Sequence, residues 1–408
     1  MTTAPDRHLS LDVIRGVAVM GILVANLPAF ALPQAAYFSP LAWGGTTPAD
    51  VAVWLGTFVL IEGKMRGLFS LLFGASMLLV IDRAGSSGQS AAPIHYARMA
   101  VLFAIGLLHM YLIWWGDILA HYALVGAVAF LFRRWSAWQL LALGLAALVV
   151  TLLWNGMGLL ALIDSAARDT QGRIATWNGF AQAFGVPGRD AILAEITAMK
   201  GPWPGEVSYR WRTLAGPLAF LKTVGLETFS AMLLGMAAFR SGFLTGAWPR
   251  STYRRAAAIG LGLALPAYLL LGLVTIAHDF DQRWVFVGSI VGSVPFRMLG
   301  VLGYAALIIL LLRPGGWLTE RIAAVGRAAF SNYLGTSVLM TAVFYGWGLG
   351  LFGLMSRAQM YLLAPLAWLL MLLWSRPWLE RYRFGPLEWL WRTLARGEVQ
   401  PMRRVPVA

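Results

Sequence analysis

The chain has 408 residues, of which 59% are hydrophobic and only 12% are charged, and its mean hydropathy is +0.68. Because a typical soluble domain carries about 25% charged residues, this composition excludes a water-exposed surface over most of the chain and predicts a membrane protein. Without cysteine, the chain cannot form disulfides, thiolate metal sites or a cysteine nucleophile. The net charge of +14 does not predict a nucleic-acid partner, since the basic residues lie between apolar runs and at the C-terminus.

Apolar runs long enough to cross a bilayer recur along the whole chain. At about 20 apolar residues per crossing, we expect a single transmembrane domain over residues 1–408, an all-α helix bundle of about ten spans. The predicted spans are 11–32, 50–81, 97–115, 118–132, 137–163, 216–239, 255–277, 284–312, 325–350 and 357–375. No small-residue cleavage site follows the first run closely, so we expect a retained helix rather than a signal peptide.

Arginines indicate how the spans are oriented. The links 33–49 and 115–117 contain neither Lys nor Arg, which fits the outer face, whereas the intervening links are basic. By the positive-inside rule the basic side is the cytoplasm, so both termini are predicted there and residues 376–408 form a basic cytoplasmic tail. The arginines that define this side before the tail are Arg7, Arg83, Arg98, Arg133, Arg134, Arg240, Arg250, Arg254, Arg255, Arg313 and Arg321.

The first span carries two polar residues on one stripe. Arg15 and Asn26 are eleven residues apart, so three helical turns nearly superpose them about 16 Å apart along the axis. Asp12 is expected to pair with Arg15 at i,i+3. The stripe offers a cation near the inner leaflet and an amide near the outer one, which suits an anionic carrier entering from the cytoplasm. The structural alternative is that Arg15 only reaches the inner headgroups.

The second span holds a cluster of three charged residues, Glu62, Lys64 and Arg66. Placing charged side chains inside a bilayer costs free energy. At helical spacing Glu62 and Arg66 share a face and are expected to neutralise each other, while Lys64 points to the opposite side and needs another partner. Gly63 and Gly67 allow the helix to bend there. Two interpretations remain open: a structural ion pair, or a polar functional site inside the membrane.

The link between the third and fourth spans contains His109, Asp117 and His121. If the fourth span starts at Gly116, Asp117 and His121 lie on one face near the outer surface. A histidine oriented by a carboxylate is the minimal general base for a hydroxyl or amine nucleophile. The spacing lacks a zinc pattern, so no metal is predicted. The structural alternatives are a histidine that hydrogen-bonds between helices and an aspartate that caps the fourth helix.

Two further regions are unusual. The connection 164–212, between spans five and six, is long and mixed in charge, and we expect an outer loop or lid. The eighth span contains Pro295, Arg297 and several glycines, and the second span is too long for one straight crossing. Broken helices at membrane depth normally line a cavity or pack against protein.

Several segments resemble a known family. SLDVIRGVAVMGILVANLPAF, FVLIEGKMRGLFSLLFGAS, GLLHMYLIWWGDILAHYALVG, GRAAFSNYLGTSV and RFGPLEWLWRTLARGE are similar to the YeiB-like family of bacterial inner-membrane proteins, usually catalogued only as a domain of unknown function. The resemblance covers nearly the whole chain except the outer loop. It implies a multi-pass protein of the bacterial inner (plasma) membrane. Asn332, in the GRAAFSNYLGTSV segment, is included as a candidate substrate-binding residue.

More distantly, the first two spans resemble transmembrane acyltransferases such as heparan-alpha-glucosaminide N-acetyltransferase and the O-antigen-modifying acetylases. The first of these reads R-G-x-A-x with an Asn eleven residues after the Arg, followed by W-N-G-x-T-x-A-D. The matching residues here are Arg15, Gly16, Ala18, Asn26, Trp43, Gly45, Thr47, Ala49 and Asp50. That enzyme has a histidine between the Asn and the Trp, where this chain has none and offers Tyr37. Either the base has moved to His109 or His121, or the chemistry is not acyl transfer.

The resemblance implies an acyltransferase-like architecture that transfers an acyl group from cytoplasmic acyl-CoA to a hydroxyl or amine on the outer side. The predicted catalytic residues are His109, Asp117, His121 and Asn26, with Asn26 stabilising the oxyanion. The predicted substrate-binding residues are Arg15, Trp43, Asp50, Glu62, Lys64, Arg66, Arg98 and Asn332. Acyl-CoA is the expected co-substrate, and no tightly bound cofactor is expected.

Two other function classes stay open. A transporter or a lipid- or quinone-handling protein would use the charged cluster as a substrate or proton site. A structural membrane subunit would carry no chemistry. The expected partners are the lipid bilayer and a small-molecule substrate, and the apolar helix faces leave a homodimer open.

Overall fold

A computed structural model describes residues 8–404, so Arg7 lies outside the described residues. Within this range the chain is helical and has no β-strand, which confirms the predicted all-α class. The helices of the first half are α1 (Leu9–Ala31), α2 (Pro48–Leu60), α3 (Lys64–Ser86), α4 (Ala91–Leu108), α5 (Leu119–Ala129), α6 (Ala137–Ser165), α7 (Gln171–Phe184), α8 (Arg189–Met199) and α9 (Trp203–Thr213). Those of the second half are α10 (Gly216–Arg240), α11 (Arg250–Ala277), α12 (Gln282–Phe286), α13 (Val294–Leu311), α14 (Trp317–Arg327), α15 (Ala329–Phe344), α16 (Arg357–Met360), α17 (Leu363–Arg381) and α18 (Pro386–Arg396).

Among residues 8–404, eight helical segments are long and apolar enough to cross a membrane. They are Leu9–Ala31, Pro48–Ser86, Ala91–Ile113, Ala137–Ser165, Gly216–Arg240, Arg250–Ala277, Val294–Leu311 and Arg357–Arg381. The predicted fourth span corresponds to a shorter apolar helix, Leu119–Phe132. The predicted ninth span corresponds to α15, a helix of 16 residues that Ala328 separates from α14. A multi-pass membrane protein is therefore supported, and the count of ten stays a prediction.

Large apolar side chains on the outward faces of several long helices are exposed. Leu153 and Leu160 of α6 are 64% and 67% exposed, and Leu270 of α11 and Leu366 of α17 are similarly accessible. A soluble protein rarely exposes so many large apolar side chains together, so these faces suit lipid tails. They suit a second protomer equally well, so a homodimer also stays a prediction.

The two spans that the sequence marks as irregular are both broken, and the breaks meet. Gly63 separates α2 from α3 with a φ of +69°, a conformation that favours glycine. The predicted eighth span divides into α12, a π-helical turn Val287–Val291, and α13. A Cβ on Gly63 would lie 2.3 Å from Nε of Arg297 on α13, so only glycine admits that guanidinium.

Elsewhere the helices approach closely through small residues. A Cβ on Gly74 of α3 would lie 2.0 Å from the carbonyl oxygen of Met232 on α10, and one on Gly235 would lie 1.9 Å from that of Leu71. Reciprocal small residues of this kind let two backbones come into contact, as in many membrane helix pairs.

The connection 164–212 folds into α7, α8 and α9 rather than an irregular loop. Its outer position and its role as a lid stay predictions. The predicted basic tail contains an amphipathic helix, α18, that packs against α4 and α15. Within the tail, Pro386–Arg396 is therefore a packed part of the bundle.

Candidate functional site

His109 and Asp117 form a buried pair at one end of α4. The helix continues past Leu108 as a π-helical turn, His109–Ile113, and Asp117 lies just before α5. Nδ1 of His109 is 2.9 Å from Oδ1 of Asp117, and the two side chains are only 1% and 0% exposed. The other carboxylate oxygen accepts the backbone N–H of Ala120 at 2.9 Å and so caps α5. The hydrogen bonds to His109 and to Ala120 together hold the Asp117 carboxylate in one orientation.

The second ring nitrogen of His109, Nε2, is buried and has no hydrogen-bond partner in the structure. If Asp117 accepts a proton from Nδ1, the neutral tautomer leaves Nε2 as a free acceptor. Two rings surround the imidazole: Tyr333 of α15 at 5.6 Å between centroids and Trp114 at 6.1 Å. Trp114 in turn stacks on Phe30 of α1 at 4.0 Å. The free nitrogen thus lies in an apolar aromatic environment beside the first span.

Helix α9 fixes the π-helical turn that carries His109. Arg210 donates from Nε to the carbonyl oxygen of Tyr111 at 3.0 Å and from Nη2 to that of Leu112 at 3.1 Å. Trp203 donates from its indole nitrogen to the same Leu112 oxygen at 2.8 Å. These donors satisfy carbonyls that the end of a helix leaves unpaired. Burial raises the pKa of Glu206, which lies 3.6 Å from Arg210, to about 7.

His121 does not join this pair. The expectation that Asp117 and His121 share a helical face is wrong, because α5 begins at Leu119 and Asp117 precedes it. Nε2 of His121 instead lies 2.9 Å from Oγ1 of Thr228 on α10. The buried imidazole therefore links α5 to α10, as the structural alternative anticipated.

The polar stripe of the first span is present in part. Arg15 pairs with Asp12 at 3.2 Å, as predicted, and also donates to Ser76 of α3 at 2.8 Å. Asn26 is half-buried, and its carboxamide makes no hydrogen bond within residues 8–404. It lies one helical turn before Phe30, on the same face, and Phe30 stacks on the tryptophan beside His109. A free carboxamide therefore lies on the side of α1 that faces the pair.

The predicted pairing of Glu62 with Arg66 is wrong. Gly63 interrupts the helix between them, so the i,i+4 geometry does not apply. Arg66 pairs with Glu227 of α10 at 3.0 Å, while Glu62 accepts the hydroxyl of Tyr37 at 3.1 Å. The counter-charge of Arg66 thus comes from a helix far away in sequence.

Glu227 also binds a second arginine. Its other oxygen is 2.5 Å from Nη1 of Arg297 on α13, and both side chains are nearly inaccessible. Arg297 further donates to the hydroxyl of Tyr268 at 3.1 Å and to Ser293 at 2.6 Å. Lys64, the unpaired cation of the prediction, lies 3.1 Å above the Tyr268 ring and is fully buried. We call Arg66, Glu227 and Arg297 the charged network.

The remaining predicted site residues lie apart from the pair. Asp50 caps α2 within a capping box and also accepts the backbone N–H of Ala358 at 2.8 Å. Trp43 donates to the carbonyl oxygen of Gly353 at 2.8 Å. Asn332 donates to Ser375 and to a backbone carbonyl and accepts from Trp374. In this structure all three hold segments together.

Arg98 lies in the first half of α4, eleven residues before His109, and stacks on Trp391 of α18. Metal binding has no support in residues 8–404, where no three His, Asp or Glu side chains are grouped for an ion.

Four important partners were missed by sequence reasoning: Glu227, Tyr333, Thr228 and Arg210. Only Glu227 gave a signal, since a carboxylate within the apolar run 216–239 is itself a marked feature of a membrane helix. The other three belong to long-range contacts that no local pattern encodes.

Comparison with known proteins identifies the family. The family described as "Protein of unknown function (DUF418)" matches residues 238–398. The uncharacterized protein YeiB of Escherichia coli (strain K12) is 33% identical over 404 residues, which cover 95% of this chain and 96% of YeiB. The chain belongs to the YeiB-like DUF418 family. The uncharacterized protein YxaH of Bacillus subtilis (strain 168) is 30% identical, over 99% of this chain and 98% of YxaH.

These findings confirm the family resemblance. None of the relatives' descriptions names an activity, so the similarity to transmembrane acyltransferases stays a prediction.

Proposed function

We propose that the protein is a membrane-embedded acyltransferase that moves an acyl group from cytoplasmic acyl-CoA to a hydroxyl or amine acceptor on the outer side. The observation that carries this proposal is the buried His109–Asp117 pair, 2.9 Å apart, with Nε2 unpaired. A base oriented by a carboxylate, with its other nitrogen free, is the arrangement that activates a nucleophile.

In the proposed reaction, Nε2 of His109 accepts the proton of the acceptor hydroxyl or amine as that group attacks the thioester carbonyl. The tetrahedral intermediate collapses, the bond between carbon and sulfur breaks, and the imidazolium returns its proton to the departing CoA thiolate. Asp117 stabilises the imidazolium. Asn26 would donate its amide N–H to the oxyanion, a role that suits a carboxamide without another partner among the described residues.

The dimensions of α4 fit a carrier that enters from the basic end of the bundle. Arg98 and His109 are eleven residues apart on this helix, so they lie on one stripe with an axial separation of about 16 Å. Arg15 lies near that same basic end on the predicted topology. CoA joins a phosphorylated nucleotide to a long flexible arm, which would reach from these arginines toward the base. The Glu62, Lys64 and Arg66 region would contact that arm.

The expected membrane and orientation of the protein support the same proposal. The arginine distribution and the bacterial relatives favour the inner membrane, with both termini in the cytoplasm. The donor would then come from the cytoplasmic pool, and the product would form outside.

The test is release of free CoA from acetyl-CoA by the purified protein in nanodiscs, with glucose, glucosamine, glycerol and phosphatidylglycerol as acceptors. Because the chain contains no cysteine, a thiol-reactive dye reports only the CoA produced. We expect His109→Ala to lower the rate by about 10²–10⁴-fold, with acetyl-CoA binding nearly unchanged. Asp117→Asn should cause a smaller loss through a misoriented ring.

Two further variants sharpen the test. His278→Ala, at an exposed histidine, serves as the matched control and should retain full activity. A larger loss in His121→Ala than in His109→Ala would move the base to α5. Full activity in both His109→Ala and His121→Ala would contradict the proposal.

A separate observation favours a transporter as the second candidate. Two broken helices meet at the charged network, where Gly63 contacts Arg297 and Lys64 is buried beside Tyr268. Discontinuous helices around buried charges are typical of substrate and ion sites in transporters. Solute uptake by proteoliposomes that is lost in Glu227→Gln and retained in His109→Ala would favour this function over acyl transfer.

A further inference from the structure

Arginines from separate helices gather at the end of the bundle where α4 begins. The guanidinium of Arg98 lies 4.1 Å above the ring of Trp391 on α18, and the indole nitrogen of Trp391 donates to the carbonyl oxygen of Arg98 at 3.0 Å. These contacts fix α18 against α4. They also bring Arg392 and Arg396, one helical turn apart on α18, into electrostatic reach of Arg98.

The interactions within this group are repulsive. Arg98 is opposed by Arg392 and Arg396, and Arg392 is opposed in addition by Arg83 and Arg15. Burial and the neighbouring arginines lower the pKa of Arg392 from its ordinary value. Arg98 and Arg392 are both half-buried, so water screens their repulsion incompletely. The fold therefore holds several positive charges close together, and a bound anion would reduce the repulsion between them.

The carboxylates of Glu388 and Asp12, on the helices that carry these arginines, are already engaged. Glu388, one turn before Arg392, accepts the backbone N–H groups of Phe330 and Ser331 at 2.7 and 3.2 Å and the Ser331 hydroxyl at 2.6 Å. It thus occupies the N-terminus of α15, where the helix dipole favours a negative charge. Asp12 pairs with Arg15 at 3.2 Å. Glu388 thus attaches α18 to α15, Asp12 is paired within α1, and the group as a whole keeps an excess of positive charge.

We propose that Arg98, Arg392 and Arg396, supported by Trp391, form a phosphate-binding site for the phosphorylated nucleotide of the acyl carrier. The assignment rests on the proposed acyl transfer from acyl-CoA. Arginine presents a planar set of donors that matches phosphate oxygens in pairs, and stacking on an indole orients that set in advance. α18 would then be part of the donor site, with Glu388 holding it in place.

Phosphate could also come from an anionic lipid headgroup, so the experiment separates the two sources. The full chain is purified in detergent, and its binding of CoA and of 3′-dephospho-CoA is measured by calorimetry. In parallel, its thermal stability is compared in nanodiscs of phosphatidylcholine with and without phosphatidylglycerol. The test variant is Arg392→Gln with Arg396→Gln. The matched control removes two arginines of α17, half-buried Arg376 and exposed Arg381, as Arg376→Gln with Arg381→Gln.

We expect the test variant to bind CoA at least about tenfold more weakly and to lose any preference of CoA over 3′-dephospho-CoA. The control should bind both as wild type does. The salt dependence of CoA binding should also become shallower in the test variant. If the test variant folds poorly, Arg392→Lys with Arg396→Lys keeps the charge and removes the paired donors, and we expect it to bind with intermediate affinity.

Unchanged CoA affinity in the test variant would overturn the site while leaving acyl transfer intact. If wild type binds no CoA but gains stability from phosphatidylglycerol, and the test variant loses that gain, the phosphate site stands with lipid as its source and the proposed function fails. Absence of both effects in wild type would overturn the site.

Discussion

Replacing Glu227 with Gln removes the one carboxylate that the charged network shares between two arginines. In the structure it binds Arg66 at 3.0 Å and Arg297 at 2.5 Å, and the Glu227 side chain is 5% exposed. Breaking one side of a buried pair costs about 3–5 kcal/mol, because the partner charge stays buried without compensation. Glu227→Gln leaves two such charges, so we expect a loss of unfolding free energy at the upper end of this range.

Replacing Arg297 and replacing Arg66 should destabilise the protein by different amounts. The Arg297 side chain is 4% exposed and keeps other donors engaged, whereas that of Arg66 is 24% exposed and can reach water more easily. We therefore expect Arg297→Gln to cost more than Arg66→Gln. Replacing Glu227 and Arg297 together should cost less than the sum of the two single changes, since the double variant leaves no unpaired charge between them.

The assay is unfolding of the purified protein in nanodiscs, followed by tryptophan fluorescence. Glu380→Gln is the matched control, because it breaks an exposed pair with Arg376 whose contribution is about 0–1 kcal/mol. Single variants of Glu227 and Arg297 as stable as the control, or strictly additive single and double changes, would show that the network is not a buried unit.

Three other predictions concern the topology, the segment 164–212 and the packing. Reporter fusions after Arg134 should report the cytoplasm and one near Gly185 the outer compartment, and a cytoplasmic signal at Gly185 would overturn the predicted orientation. Burial raises the pKa of Glu195 to about 7 from an ordinary 4.5, so its contribution to the stability of α8 should be present below pH 4.5 and lost as the pH rises to about 7. Hydrogen-exchange protection factors of α8 at pH 4.5 and 7.5 check this, and Glu195→Gln should abolish the difference. Gly74→Leu should lower the folded yield in membranes by separating α3 from α10, whereas Gly156→Leu, which meets no atom within 4 Å, should not.

The membrane class and the positions of most long helices could be predicted, because hydropathy over about 20 residues is a local property of the sequence. The pairing of Asp12 with Arg15 was likewise predictable, since it depends only on i,i+3 spacing within one unbroken helix. Both irregular spans were recognised, the second from its length and the eighth from Pro295, Arg297 and its glycines. What was not predictable is that their breaks meet each other at Arg297.

The contact between His109 and Asp117 shows the limit of spacing arguments. The two residues were proposed together because of their chemistry, whereas regular helical spacing pointed to Asp117 and His121. A π-helical turn and a short link intervene, and they carry Asp117 back toward the histidine at 2.9 Å. The error for Glu62 and Arg66 has the same origin, because one glycine with a positive φ ends the helix that the argument required to be continuous.

The His109–Asp117 pair and the charged network are linked through contacts between α5 and α10. A change in one can therefore affect the other. Asp117 caps α5, His121 on the next turn bonds Thr228, and Thr228 is adjacent to Glu227 on α10. A change at Glu227 that moves α10 would therefore also disturb the orientation of the carboxylate beside His109.

If the protein is an acyltransferase, folded Glu227→Gln protein should keep part of its activity, because the change reaches Asp117 only indirectly, through α10 and α5. If the charged network itself handles a substrate, activity should disappear in fully folded Glu227→Gln protein while the His109–Asp117 pair remains intact. Comparing activity per folded molecule thus separates the two functions, whereas total activity falls in both cases because Glu227→Gln also lowers the folded fraction.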